Sequence, residues 1–168
     1  DLRLAALGQY APVVFAQAFD FAPREAQLQT GVPVFSRFPS VTPALSEQPA
    51  IATGFLANHA GLSQSRCVGN IGLRPDRDGR IRRVPLEVAW DGKKSPLLPL
   101  AMLGCARTAS VSMPLQNAGS VPALQAASWE VPYVRQWASY TVVSAQDILS
   151  GAAPADLVGG RWVLVGSS

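Results

Sequence analysis

The chain has 168 residues, which suits one domain with a sizeable core and no need of metal or disulfide staples. Hydrophobic residues make up 48% and charged residues 15%, a folded composition that excludes intrinsic disorder and leaves much of the surface to Ala, Ser, Gln, Gly and Pro. The net charge of +3 is local: Arg74, Arg77, Arg80, Arg82 and Arg83 lie within ten residues, offset by Asp76 and Asp78, so a spread nucleic-acid footprint is missing and no nucleic-acid partner is expected.

Asp1 is an N-cap for a helix over residues 2–7, with Gly8 as its stop, and Pro12 leads into the apolar run Val13-Val14-Phe15-Ala16, a buried strand. Residues 21–39 have mixed polarity; Thr42-Pro43 starts a short helix through Gln48, and residues 51–56 read as a strand. From Cys67 to Trp90 the text is CVGNIGLRP, DRDG, RIRRVPLEVAW. Val84, Leu86, Val88 and Trp90 alternate with Arg83, Pro85, Glu87 and Ala89, the period of a strand with one buried face. Asp78-Gly79 suits a tight turn, so this stretch is expected to fold as an antiparallel hairpin about it.

Asp91-Gly92 makes a second turn, and residues 97–106 form a helix with Pro99 in its first turn, where the missing N–H does no harm. The uncharged stretch 108–129 is a loop-rich connection. Residues 140–143 read as a strand, Ser144 caps a short helix carrying Asp147 and stopped by Gly151, and residues 162–165 form a last strand after Gly159-Gly160. Helices and buried strands interleave at both ends with a hairpin between, which implies an α/β fold: a mixed sheet with flanking helices in a single domain.

The chemistry of catalysis is not written here. His59 is the sole histidine, so no nucleophile has a recognisable base, and no catalytic residue is expected. Asp76-x-Asp78-Gly79 has the look of a calcium loop, yet Arg80, Ile81, Arg82 and Arg83 follow where oxygen ligands belong; a structural turn is the better reading, with no metal and no cofactor. Gly166-Ser167-Ser168 lacks the spacing of a phosphate-binding turn.

The run VGNIGLRPDRDGRIRRVPLEV resembles the segment by which the second family of CHASE domains, cyclase/histidine-kinase-associated sensory extracellular domains, is most easily recognised. The matching positions are Gly69, Asp76, Asp78, Gly79, Ile81, Arg82, Arg83, Pro85 and Leu86. Leu97-Leu98-Pro99-Leu100-Ala101 resembles the family's Ser-Leu-Ala-Leu helix apart from Pro99; VVSAQDILSG and GGRWVLVGSS resemble its closing segments, and residues 1–7 its early helix. The family opens with a strand before that helix, whereas this sequence begins at Asp1, so residues 1–168 are expected to be one sensor domain without its first strand.

The resemblance implies an extracytoplasmic sensory input domain of a bacterial receptor, flanked by transmembrane helices, non-catalytic itself, working as a homodimer and answering to a small-molecule or protein ligand. Rival readings are a fragment of an α/β hydrolase or transferase, and a purely structural dimerisation module. Outside the cytoplasm a disulfide between Cys67 and Cys105 is permitted; two buried thiols are the other reading. The expected ligand contact is Arg82 or Arg83, whichever faces inward, with Asn70 or Tyr133 as polar company; Glu87, Asp76 and Asp147 are the internal carboxylates that would make such an arginine structural, which is the favoured outcome.

Overall fold

The computed structural model describes residues 2–35, 48–108 and 128–166. In chain order the elements are α1 (Leu2–Tyr10), β1 (Phe15–Asp20), β2 (Gln29–Thr30), β3 (Ala50–Ile51), β4 (Gly54–Leu56), β5 (Val68–Asn70), β6 (Arg83–Pro85), β7 (Glu87–Trp90), β8 (Lys93–Pro96), α2 (Leu98–Thr108), β9 (Ser128–Glu130) and α3 (Ala145–Leu149). They fall into two compact units, Asp1–Val131 and Pro132–Ser168. The fold class is α/β, as the interleaving of helices and strands implies, with the strands among the described residues spread over three sheets.

A four-stranded mixed sheet has the order β2-β4-β1-β5: β1 runs antiparallel to β4 and parallel to β5, and β2 runs parallel to β4. A three-stranded sheet has the order β3-β7-β8, and β6 pairs antiparallel with β9. The apolar side chains of the first two sheets meet in one cluster, Phe19, Ala52, Phe55 and Val88, against which Phe21, Phe35, Ala57 and Trp90 pack. Phe55 and Trp90 stand edge-on with centroids 5.5 Å apart. A second cluster, Val84, Leu86 and Leu97, joins β6 to the start of α2.

Gln17 is one of several buried polar residues. Its Nε2 donates to the Val34 carbonyl (2.8 Å) and to Ser95 Oγ (3.3 Å), while its Oε1 accepts from the Val34 N–H (3.0 Å). A buried amide thus gives the Val34 backbone the pair of bonds that a neighbouring strand would supply.

Several expectations are corrected. The helix α1 does not stop at Gly8 but runs to Tyr10. Gly8 is buried there against the Phe15 ring, where a Cβ would approach within 2.8 Å, so it serves close packing, and Pro12 follows the helix end instead. The apolar run at 13–16 is a strand, but one that starts at Phe15 and continues to Asp20, and residues 51–56 divide between β3 and β4. Residues 140–143 and 162–165 are not strands: hydrophobic content marks them, but no neighbouring chain pairs with them among the described residues. The expected helix at 43–48, save its end at Gln48, and nearly all of the connection 108–129 lie outside the described residues, as does Asp1.

The helix with Pro99 in its first turn is α2, and the Ser144-capped helix is α3, with Ser144 Oγ accepting from the Gln146 N–H (3.2 Å) and Gly151 at φ +75°.

The hairpin expected about Asp78-Gly79 does not form. The turn is present, but β5 before it pairs with β1, and β6 after it pairs with β9. The reason is that β5 commits its backbone elsewhere: Ile71 N–H donates to Gln17 O (2.8 Å) and Phe15 N–H to Cys67 O (3.0 Å). The hairpin of this stretch lies one turn later, joining β7 to β8 through Asp91 (φ +49°) and Gly92 (φ +70°), two positive-φ residues that match the strand twist. The alternating row is only half right: Val84, Leu86 and Val88 are buried, but so are Pro85 and Glu87 between them, where the chain bends at Leu86 and changes sheets. Pro85, just before the bend, has no N–H to extend a ladder.

A disulfide joins Cys67, just before β5, to Cys105 on α2, with Cα atoms 6.0 Å apart. Between these anchors Gly69 lies under the helix: a Cβ there would come within 2.5 Å of Leu98 Cα. A cross-link spanning 38 residues restricts the unfolded chain and contributes about 4 kcal/mol in the loop-entropy account. Changing both cysteines to Ser is therefore expected to lower the denaturation midpoint by that order in chemical unfolding, with the far-ultraviolet circular dichroism of the native state kept. A double variant as stable as the parent would show that the bridge adds nothing.

Candidate functional site: the arginine turn

The turn after β5 is built by short-range bonds. Asp76 N–H donates to Arg80 O (2.8 Å), Gly79 N–H to Asp76 O (2.9 Å), and Asp78 Oδ1 accepts from the Arg80 N–H (3.2 Å). Gly79 takes φ +80° with open space around it. Arg82 then reaches back: its Nη1 donates to Asp76 Oδ2 (2.8 Å) and Asp78 Oδ1 (3.0 Å), and its Nη2 to Asp78 Oδ2 (2.7 Å). One guanidinium thereby holds both aspartates, bidentate on Asp78. The Arg82 bond, with help from the Arg80 N–H, keeps the Asp78 carboxyl below the ordinary aspartate range, and the two carboxylates move the Arg82 guanidinium further from deprotonation.

Neither Arg82 nor Arg83 faces inward, contrary to the expectation that one of them must. Arg82 precedes β6, so strand alternation does not govern it, and it folds back onto the turn. Arg83 opens β6 opposite Glu130, on the face away from buried Val84. Of the three carboxylates named as internal partners, Asp76 meets Arg82; Glu87 is buried near Lys94 (3.5 Å), and Asp147 lies on α3 in the other unit.

Asn70 is fully buried rather than beside the arginines. Its Oδ1 accepts from Phe19 N–H (3.1 Å) and Gly72 N–H (2.7 Å), and its Nδ2 donates to Gly72 O (3.2 Å). These bonds hold β5 against β1 and leave its side chain turned away from solvent. Tyr133 is exposed and belongs to the second unit. His59, the lone histidine, caps a 3₁₀ turn at Ala60–Leu62, its Nδ1 accepting from the Gly61 N–H (3.1 Å). Among the described residues no group of three metal-ligating side chains converges.

A shallow recess that the sequence does not announce lies at the end of β1, lined by Asp20, Ala22, Pro23, Arg24, Gln27, Leu28 and Thr53. Arg24 Nε donates to Asp20 Oδ2 (2.6 Å), which holds the Asp20 carboxyl below its ordinary range; the Ala22 N–H adds to the effect. Thr53 Oγ1 donates to the Ala22 carbonyl (2.8 Å) and closes the floor. The sequence signal was an Asp ending a strand with Pro23-Arg24 following, too common a pattern to single out.

These features define an α/β chain whose charged groups are gathered on a turn. The model of the CHASE2 domain matches residues 4–168, and the chain belongs to that family, whose members are extracellular sensory domains. By itself it is a sensory, non-catalytic domain of extracytoplasmic type. No curated protein and no solved structure matched the chain.

Two measurements check the site. Asn70→Ala strands two buried backbone N–H groups and is expected to destabilise the chain by about 2–4 kcal/mol in chemical denaturation, far more than Arg83→Gln. For Asp78 the folded-state pKa is depressed, so its contribution is present above the ordinary aspartate range and lost as the pH falls through the lower folded value. Followed by carboxyl-carbon NMR, Asp78 should titrate below a free aspartate, and Arg82→Gln should move the midpoint back up; a midpoint indifferent to Arg82 would remove the fork from the account.

Proposed function

We propose that this chain is the input domain of a bacterial receptor anchored by transmembrane helices on either side of it, biasing a cytoplasmic cyclase, diguanylate cyclase or kinase. The observation that carries this reading is the family match across residues 4–168. No helix among the described residues is long and apolar enough to cross a membrane, so the anchors in this reading belong to other parts of the receptor. The disulfide agrees with an oxidising compartment.

In this reading a small-molecule or protein ligand is met by Arg83, the exposed arginine of the pair that no described carboxylate holds in an ion pair. Arg82 and Asn70 act through the turn and through β5, as positioning residues. The receptor works as a homodimer, and the membrane anchors raise the effective concentration of the two domains, so the interface need not be strong.

The experiment is made in the full-length receptor. A reporter active only outside the cytoplasm, fused next to this domain, is expected to be active, and Arg83→Gln is expected to abolish the response to a stimulus while the melting temperature of the chain stays unchanged. An output that is the same with and without the domain would end the sensory reading.

A further inference from the structure

The whole net charge of the protein sits on one turn. Residues 74–83 hold five arginines and two aspartates, a surplus of three, and the rest of the chain balances nine cations against nine acids. Both aspartates of the turn are already engaged by Arg82, so Arg74, Arg77 and Arg80 are left exposed with no ion pair to any described residue. The backbone bonds between Asp76 and Arg80 and the Arg82 fork stiffen the turn, which means that these three arginines are presented from an ordered platform rather than a loose loop.

We propose that this turn is a docking surface for anionic phospholipid headgroups. The tip stands in open space at Gly79, and the recess at Asp20 shares none of the three arginines. Separate arginines facing outward suit a plane of many negative charges, to which each contributes alone. Ile71 and Leu73, which lead into the turn, are 48% and 42% exposed, and apolar side chains beside arginines fit the boundary between headgroups and acyl chains. The surface does not depend on the receptor reading, since the chain alone would bind vesicles, and failure of either leaves the other standing.

The test is co-sedimentation of the 168-residue chain with phosphatidylcholine vesicles containing or lacking phosphatidylglycerol. Binding is expected only with phosphatidylglycerol, falling steeply with added salt. The triple variant Arg74→Gln/Arg77→Gln/Arg80→Gln should bind about a hundredfold more weakly, on the order of fivefold per arginine. Its melting temperature should match the parent's, because none of the three side chains has a described ion-pair partner to lose. The control Arg3→Gln/Arg66→Gln/Arg135→Gln removes the same charge from exposed positions elsewhere and should keep most of the binding. Equal loss in the two triple variants, no binding of the parent chain, or displacement by inorganic phosphate beyond that of chloride at equal ionic strength would each overturn the proposal. The last of these would point to a free-anion site instead.

Discussion

Strand β5 is three residues long and every one of them is buried, so each of its polar groups must find a partner inside the protein. That constraint organises the first unit. On one edge β5 runs parallel to β1 in the register Phe15↔Val68, and on the other Asn70 bridges to Leu97 at the start of α2. Above it α2 rests on Gly69 and is tied down by the Cys67–Cys105 bridge; beyond it the Asn70 side chain replaces ladder bonds that the chain, turning away at Gly72, would otherwise leave open. A Cβ at Gly72 would strike the backbone of Phe19, so the departure of the chain is fixed as well as its approach.

The arginine turn inherits its position from this arrangement. It begins where β5 ends and finishes where β6 starts, and both ends are anchored to buried partners, Asn70 on one side and Val84 on the other. Within it the charges sort themselves by reach: Arg82 is near enough to grip Asp76 and Asp78, while Arg74, Arg77 and Arg80 point to solvent. Exposed ion pairs contribute little to global stability in general. Here their consequence is local order and the uncovering of positive charge.

For a sensory domain the division of labour is physically sensible. The interior clusters around Phe19, Phe55, Val88 and Leu86 hold the fold, and the exposed arginines stand on a turn outside them. The second unit differs: among its described residues none is buried, and Tyr133, Val134, Val142, Leu149 and Val165 are all exposed.

Much of this was legible in the sequence. The family could be read from the spacing of Gly69, Asp78-Gly79, Arg82-Arg83 and Pro85-Leu86, and the local signals that held were those whose physics is local: a Ser cap before α3 and Pro99 in the first turn of α2. What tertiary structure decided was pairing. A strand shows which face it buries, but not which strand lies beside it, so the partners of β5 and β6, and the absence of a ladder for residues 140–143 and 162–165, could not be read from one segment at a time. Nor could the sequence alone decide between a disulfide and two thiols, because only the packing of α2 on Gly69 brings Cys105 to Cys67. The same holds for the inward arginine that was expected and is not there: Arg82 could find two carboxylates by folding back, a choice of direction that alternation in sequence does not contain.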